Sequence, residues 1–465
     1  MQRKRLWAVL AFAVMSVPVA SIVPLMSLSD RPQSLSADEP ADGFQTAAQR
    51  RLYRILTGRS EKSRSNVIAS LASSPEDTHA EIDVLVAAAE TLLRQRGEDF
   101  ATDQQEAKSS RADESTSESL LTLILLIAKD PSPSAVPLIQ KALRHEDDII
   151  AMAAMDAVGT NGLEGAIEDL VAQIKRPEFD ERYAFRFALV RAIAQLHDPK
   201  AIEWLQKLHR LLDGQLRHEI QGRLVDVDLR DFDGDAERLR QWRDELPISG
   251  ILDQVFLDVE PVQENEGVST TISLQRVVSS SAQRPKLARS QYYGIDLQAA
   301  RMLFLIDRSG SMKEPARYGT RLQRAKTELV QTINGLSPQT QFGIMAFDTT
   351  IGFFRDELVD ATDENKRSAT VFVDRIMLGQ KTNTHGALVD AADFDNQLEA
   401  VFLLTDGRPT FGKLMRPDLI IDDVIRRNRM RHLKFHTIGV GDLGNTVVFL
   451  KTLAEETGGE FRQVP

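Results

Sequence analysis

Apolar positions along this chain change their spacing twice, and each change marks a different kind of structure. The first run follows Met1-Gln-Arg-Lys-Arg5 and extends from Leu6 to Met26. A basic cluster ahead of such a run predicts export. The run approaches the ~20 residues that span a bilayer, so residues 1–28 read as a signal peptide or an N-terminal membrane anchor. In either case the basic end stays inside and the rest of the chain lies outside the cytoplasm. Residues 29–46 are polar and read as a flexible spacer. From Ala47 to residue 246 the apolar residues recur at helical spacing. The segments opening at Ala135, Ala166 and Ala201 align with one another, their starts 31 and 35 residues apart. Second helices are predicted between them at Ile149–Val158, Tyr183–Leu196 and Leu216–Val227, with turns at Asp130-Pro131 and Asp198-Pro199. This spacing predicts stacked helix pairs, with an irregular helical bundle as the alternative. Leu120–Ala128 is apolar almost all round but too short to cross a membrane, and reads as a fully buried helix. Glu98–Ser117 is charged and reads as an exposed insertion.

Residues 247–298 read as a linker, rich in Ser, Gln and Glu, with a short strand at Ser269–Leu274. Gln291–Ile295 is expected to pack on the edge of the first buried strand. Beyond residue 299 the pattern becomes short, continuous apolar runs: Met302–Ile306, Gln341–Phe347, Val401–Leu404 and Leu433–Val440. Such runs are strands buried on both faces, as in a parallel sheet covered by helices. Helices are predicted at Thr320–Ile333, Lys366–Met377, Gly386–Ala392 and Thr446–Thr457, the last closed by Gly458-Gly459. A final strand is placed at Phe461–Val464. The short connection Asp348-Thr-Thr350 before Ile351–Phe354 predicts a hairpin, and so one antiparallel edge strand. The fold class is therefore multidomain: an N-terminal all-α region over 47–246 and a C-terminal α/β doubly wound domain over 299–465.

Chemistry concentrates where the first of these strands stops. Met302–Ile306 ends at Asp307, and the chain turns through Ser309, Gly310 and Ser311. In a parallel α/β sheet such strand ends deliver side chains into the ligand crevice. One carboxylate and two hydroxyls arrive there, hard oxygen donors that suit Mg²⁺.

The Asp-x-Ser-x-Ser spelling resembles the metal-ion-dependent adhesion site of von Willebrand factor type A domains. Lys381-Thr-Asn-Thr-His-Gly386 resembles the loop that carries that family's metal-binding threonine, here Thr382. Val401–Thr410 resembles the strand and turn that carry its second aspartate, here Asp406. The resemblance covers residues 299–464 and implies a metal site of Asp307, Ser309, Ser311, Thr382 and Asp406. It would hold Mg²⁺, with Mn²⁺ or Ca²⁺ as alternatives, and leave one position for a Glu or Asp of a protein partner. Lys381 departs from the family, which usually has Gly there; a cation beside the ion would weaken binding unless it points to solvent. The helical region, in turn, is similar to HEAT-type repeats and would act as a scaffold.

Composition narrows the partners. The net charge is -11, and no basic stripe appears, which argues against nucleic acid. The chain has no cysteine, so disulfides, thiol nucleophiles and thiolate metal sites are excluded. Arg308, Lys313, Arg317, Lys381, Arg408 and Lys413 fall in loops expected around the metal-facing edge, either as a basic rim that attracts an acidic partner or as solvated surface. Asp442 reads as a turn residue or an extra ligand, and His385 as a capping or surface residue. The chain thus reads as an exported or membrane-tethered binding protein, not an enzyme. A metal-dependent hydrolase and a structural envelope protein with a vestigial site are the alternatives; against the hydrolase, the motif loops offer no general base.

Overall fold

The computed structural model describes residues 46–245 and 291–465, together with Phe44, apart from residues 104–110, 131, 133, 164, 233, 317 and 318. The export segment, most of the spacer, the linker strand at Ser269–Leu274 and Arg317 therefore lie outside the described residues.

The N-terminal region is helical throughout: α1 (Ala47–Thr57), α2 (Glu61–Ala72), α3 (Pro75–Ala80), α4 (Ile82–Asp103), α5 (Arg111–Ile127), α6 (Ala135–Leu143), α7 (Asp148–Asn161), α8 (Ile167–Ala172), α9 (Pro177–Glu181), α10 (Tyr183–Gln195), α11 (Pro199–Leu211), α12 (Gly214–Val225) and α13 (Ala236–Glu245). Local chemistry sets the boundaries. Asp198 caps α11 through the Lys200 N–H while Pro199 opens it. Helices α4, α6, α8 and α11 stack in one layer, and α5, α7, α10 and α12 in a second, so the aligned segments in α6, α8 and α11 are neighbours. Helices α7 and α10 lie inside the stack and are buried almost all round, as is the Leu120–Ala128 stretch, which ends α5 and runs one residue past it. Of Glu98–Ser117, residues 104–110 lie outside the described residues and the rest is helical. Helix α4 runs on to Asp103 and α5 starts at Arg111, because Ala, Glu and Arg sustain a helix even where few apolar residues anchor it. Among the described residues no helix is long and apolar enough to cross a membrane.

The C-terminal region opens with a hairpin, β1 (Gln291–Tyr292) and β2 (Ile295–Asp296). It continues as β3 (Arg301–Asp307), α14 (Arg321–Asn334), β4 (Gln341–Phe347), β5 (Ile351–Phe353), β6 (Val359–Asp360), α15 (Asp363–Arg375), α16 (Thr384–Ala392), β7 (Ala400–Thr405), α17 (Pro417–Asn428), β8 (Lys434–Val440), α18 (Thr446–Glu456) and β9 (Phe461–Val464). The sheet order is β5-β4-β3-β7-β8-β9. Strands β4, β3, β7, β8 and β9 run parallel, while β5 and β6 pair antiparallel with β4. Alternate residues of β3 explain the run of apolar positions. Met302, Phe304 and Ile306 face α14 and α15, whereas Leu303 and Leu305 join the core under α16, α17 and α18. The opening hairpin does not sit on a strand edge. Tyr292 is buried on the sheet face, its ring 5.2 Å from Phe304 and 6.1 Å from Phe402. A large aromatic gains more apolar contact on a face than on a two-sided edge.

The two regions share one hydrophobic core, which continues from the helical stack into the α16–α18 face of the sheet. They meet where the parallel strands begin. Phe187 of α10 stacks on His432 with ring centroids 4.7 Å apart, and Arg186 donates to the Gln397 side chain at 2.5 Å. At the centre lies Glu399, 1% exposed. Its Oε2 accepts from the Gln215 N–H (2.8 Å) at the start of α12 and from the Ala300 N–H (3.1 Å). Its Oε1 takes the Arg301 guanidinium at 2.8 Å, and that guanidinium also reaches Asp213 at 3.0 Å. Gly214 permits this approach: its φ is +55°, and a Cβ there would lie 2.4 Å from Glu399 Oε2. Burial outweighs Arg301 and the two N–H donors and pushes the Glu399 carboxyl up to about 7.

Candidate metal centre

The predicted site forms at the opposite end of the sheet, where β3 and β7 stop. Asp307 is the last residue of β3 and is fully buried. Its Oδ1 accepts from the Ser309 N–H at 2.7 Å, and its Oδ2 from the Thr405 hydroxyl at 2.5 Å. The chain then winds into one tight 3₁₀ turn, Gly310–Lys313. This turn brings Ser309 Oγ and Ser311 Oγ within 3.2 Å, and Ser311 Oγ donates to Asp406 Oδ1 at 2.6 Å. Burial, unrelieved by any cation on Asp307, pushes its carboxyl up to about 7; the Thr405 and Ser309 hydrogen bonds oppose this, and the nearby Asp406 charge adds to it.

Thr382 reaches the same place through backbone bonds. The Gly310 N–H donates to the Gln380 carbonyl at 2.9 Å, and the Thr382 carbonyl accepts from the Thr410 (3.0 Å) and Phe411 (3.2 Å) N–H groups. The three motif segments are thus laced together at one edge. Asp307, Ser309, Thr382 and Asp406 are all buried, while Ser311 is exposed and marks the open side.

The donors fit a small hard cation. Adjacent ligands on an octahedral ion with ~2.1 Å bonds stand about 3 Å apart, the spacing of the two serine hydroxyls. Ser311 donates its proton to Asp406, which leaves its lone pairs free to ligate.

Two acidic and basic residues at this edge carry roles that the sequence reading did not assign. Arg321, the first residue of α14, sends its guanidinium to Asp406 Oδ2 at 2.8 Å. A cation in the first turn of a helix opposes the helix dipole, and that is the signal in the sequence that its side chain is engaged elsewhere. Asp348, expected only to shape the hairpin, is a hub. Its carboxylate accepts from Arg308 (2.7 Å), the Thr350 N–H (3.1 Å) and the Gln380 N–H (3.1 Å), and so ties the β4 end to the Thr382 loop.

The basic rim divides. Arg308 is committed to Asp348, so it belongs to the frame and not to a free rim. Lys313, Lys381, Arg408 and Lys413 are exposed, and none has an ion-pair partner among the described residues. Lys381 points outward, its Nζ 5.7 Å from the centre of the Phe411 ring, so it does not crowd the carboxylates. His385 is neither a cap nor a surface residue; it is buried with Nε2 3.0 Å from Asp423 Oδ2. Asp442 is exposed and accepts from the Gly444 N–H at 3.3 Å, the turn role.

Comparison with known proteins places a match over the same C-terminal region. The family described as von Willebrand factor type A domain matches residues 300–462. The C-terminal region is a von Willebrand factor type A domain. This domain is 32% identical over 174 residues to inter alpha-trypsin inhibitor, heavy chain 4, of Mus musculus, a match covering 35% of this chain and 18% of that protein. It is 33% identical over 161 residues to von Willebrand factor A domain-containing protein 3B of Homo sapiens, covering 34% of this chain and 11% of that protein. The chain thus spans less than a fifth of either relative. Among solved structures, the von Willebrand factor type A protein of Catenulispora acidiphila aligns at 19% identity and TM-score 0.31, over 36% of this chain and 38% of that one. The BatB protein of Bacteroides thetaiotaomicron aligns at 16% identity and TM-score 0.29, over 35% of this chain and 89% of that one. In the von Willebrand factor type A domain described here, both serines, Thr382 and both aspartates converge on one edge, with Arg321 alongside.

Proposed function

We propose that this chain is an exported binding protein whose von Willebrand factor type A domain grips an acidic side chain of a protein partner through a Mg²⁺ ion. The reading rests on one observation: a pair of serine hydroxyls 3.2 Å apart, flanked by two buried carboxylates, with Ser311 exposed. Asp307, Ser309, Ser311, Thr382 and Asp406 would hold the ion. Mg²⁺ would supply the residual positive charge that draws a carboxylate, because most of these ligands are neutral hydroxyls. Lys313, Lys381, Arg408 and Lys413 favour an acidic partner and speed its encounter. Phe411 and Met415, both exposed on the same edge, add apolar surface of the kind that interaction sites carry.

Coordination, not catalysis, suits the surroundings. A hydrolase needs a general base, and the one histidine of the motif loops, His385, is turned away and held by Asp423. The N-terminal basic cluster and apolar run support export, by anchor or by cleaved signal. The HEAT-like helical region serves as the scaffold.

Asp307→Ala provides the test. Calorimetric titration should show Mg²⁺ uptake by the wild type and none by the variant, with unchanged circular dichroism. Capture of the partner in Mg²⁺ but not in chelator should be lost with it. Mg²⁺-dependent capture that survives Asp307→Ala would refute the site.

A further inference from the structure

Arg321 lies within the metal centre, yet it cannot be a metal ligand. Its guanidinium takes Asp406 Oδ2 at 2.8 Å while Ser311 takes Oδ1 at 2.6 Å, so both oxygens of that carboxylate are engaged. The pair is secluded: the Arg321 side chain is 18% exposed and that of Asp406 0%. The guanidinium also lies against Gly441, whose φ is +78° and where a Cβ would stand 2.5 Å from Nη2. A glycine with positive φ at the end of β8 thus makes room for a fixed charge beside the site.

We propose that Arg321 is a resident cation of this centre and sets its affinity for divalent ions by sharing Asp406 with them. The inference rests on the metal reading above. Without an ion, Asp307 and Asp406 are two neighbouring carboxylates, and the guanidinium offsets one of them. It thereby lowers the repulsion between the two carboxylates. Once an ion binds, the same guanidinium is a like charge one carboxylate away in a secluded site, where screening by solvent is weak. The two effects oppose each other, and their sizes differ. Asp406 stays oriented without Arg321, because Ser311 and the burial of its side chain hold it. The repulsion between guanidinium and ion has no substitute. Repulsion therefore wins, and Arg321 keeps the site weak.

The expected result is a paired change that a packing role would not produce. In the 465-residue chain, Arg321→Gln and Arg321→Met (which keeps the apolar stem) should bind Mg²⁺ and Mn²⁺ at least ~10-fold more tightly than wild type by calorimetry. Arg321→Lys, which keeps the charge, should stay close to wild type. Thermal melting adds a second readout. In chelator the neutral variants should melt below wild type, and saturating Mg²⁺ should close or reverse that gap. Equal or weaker ion binding by folded Arg321→Gln and Arg321→Met, beside a wild type that does take up ion, would overturn this inference alone. No uptake by wild type or by any folded variant would overturn the metal reading and this inference with it.

Discussion

Asp307 and Glu399 stand at opposite ends of one sheet, and burial pushes both carboxyls up to about 7. Their neighbours separate them. Glu399 receives a full cation, Arg301 at 2.8 Å, along with N–H groups from both halves of the molecule. Asp307 receives only neutral donors, Ser309 and Thr405. The chain has thus completed one end from within and left the other short of positive charge. A buried carboxylate with its own cation is a clamp; a buried carboxylate without one, beside two hydroxyls, is what the proposed ion site would need.

The largest effect should come from breaking the clamp. At pH 8, where the Glu399 carboxyl is ionised, Arg301→Ala leaves it buried without its cation, which costs roughly 3–5 kcal/mol. Asp307→Asn keeps acceptor and donor for the same neighbours and should change stability by less than about 1 kcal/mol. Urea unfolding of both variants decides the matter, and equal losses would erase the contrast. A cleavage site engineered between residues 247 and 290 sharpens it: the halves should co-elute after cutting in wild type and separate in Arg301→Ala.

Next is pH. The Glu399 carboxyl titrates at about 7 when folded, above its ordinary 4.5. Between these values the folded chain holds a proton that the unfolded chain has lost. The stabilisation is therefore full below about 4.5 and lost as pH rises through 7. Glu399→Gln should remove a pH-dependent decline of up to roughly 3 kcal/mol. Stability profiles of wild type and variant that run parallel from pH 5 to 8 would contradict it.

The smallest effect lies on the rim. Arg408→Glu with Lys413→Glu should leave Mg²⁺ uptake intact and slow association with an acidic partner by about ten-fold at low salt. The difference should shrink near physiological ionic strength, where screening acts over about 8 Å. An association rate unchanged at low salt would make these side chains ordinary solvated surface.

What could be read from the sequence was local. The runs Met302–Ile306 and Val401–Leu404 are apolar at every position because the sheet is covered on both faces, so strands and parallel topology could be read together. Four of the five proposed ligand positions, Asp307, Ser309, Ser311 and Asp406, follow those strand ends, whereas Thr382 lies just before α16 and is brought to them by backbone hydrogen bonds. Helix α17 escaped that reading although Pro417 at its first position and Ile420, Ile421 and Val424 at helical spacing mark it. The Arg321–Asp406 and Arg301–Glu399 pairs lay beyond its reach. Their partners are 85 and 98 residues apart, and a charged residue has no periodicity to betray a distant mate. Arg308 illustrates the same limit from the other side: only the fold shows that its charge is already taken by Asp348.

The docking of α10 and α12 at the strand starts also gives the molecule a mechanical axis. A partner held at Ser311 and a chain held at its N-terminus would pull from the two ends of β3, along the strand and not across it. Tension would then shear the parallel hydrogen-bond ladders of β3 with β4 and β7 all at once, where peeling would break them one by one. Past Arg301, the pull would pass into the helical stack through Glu399 and Asp213. Arg301 would carry that load together with Arg186 on Gln397 and Lys434 on Glu219.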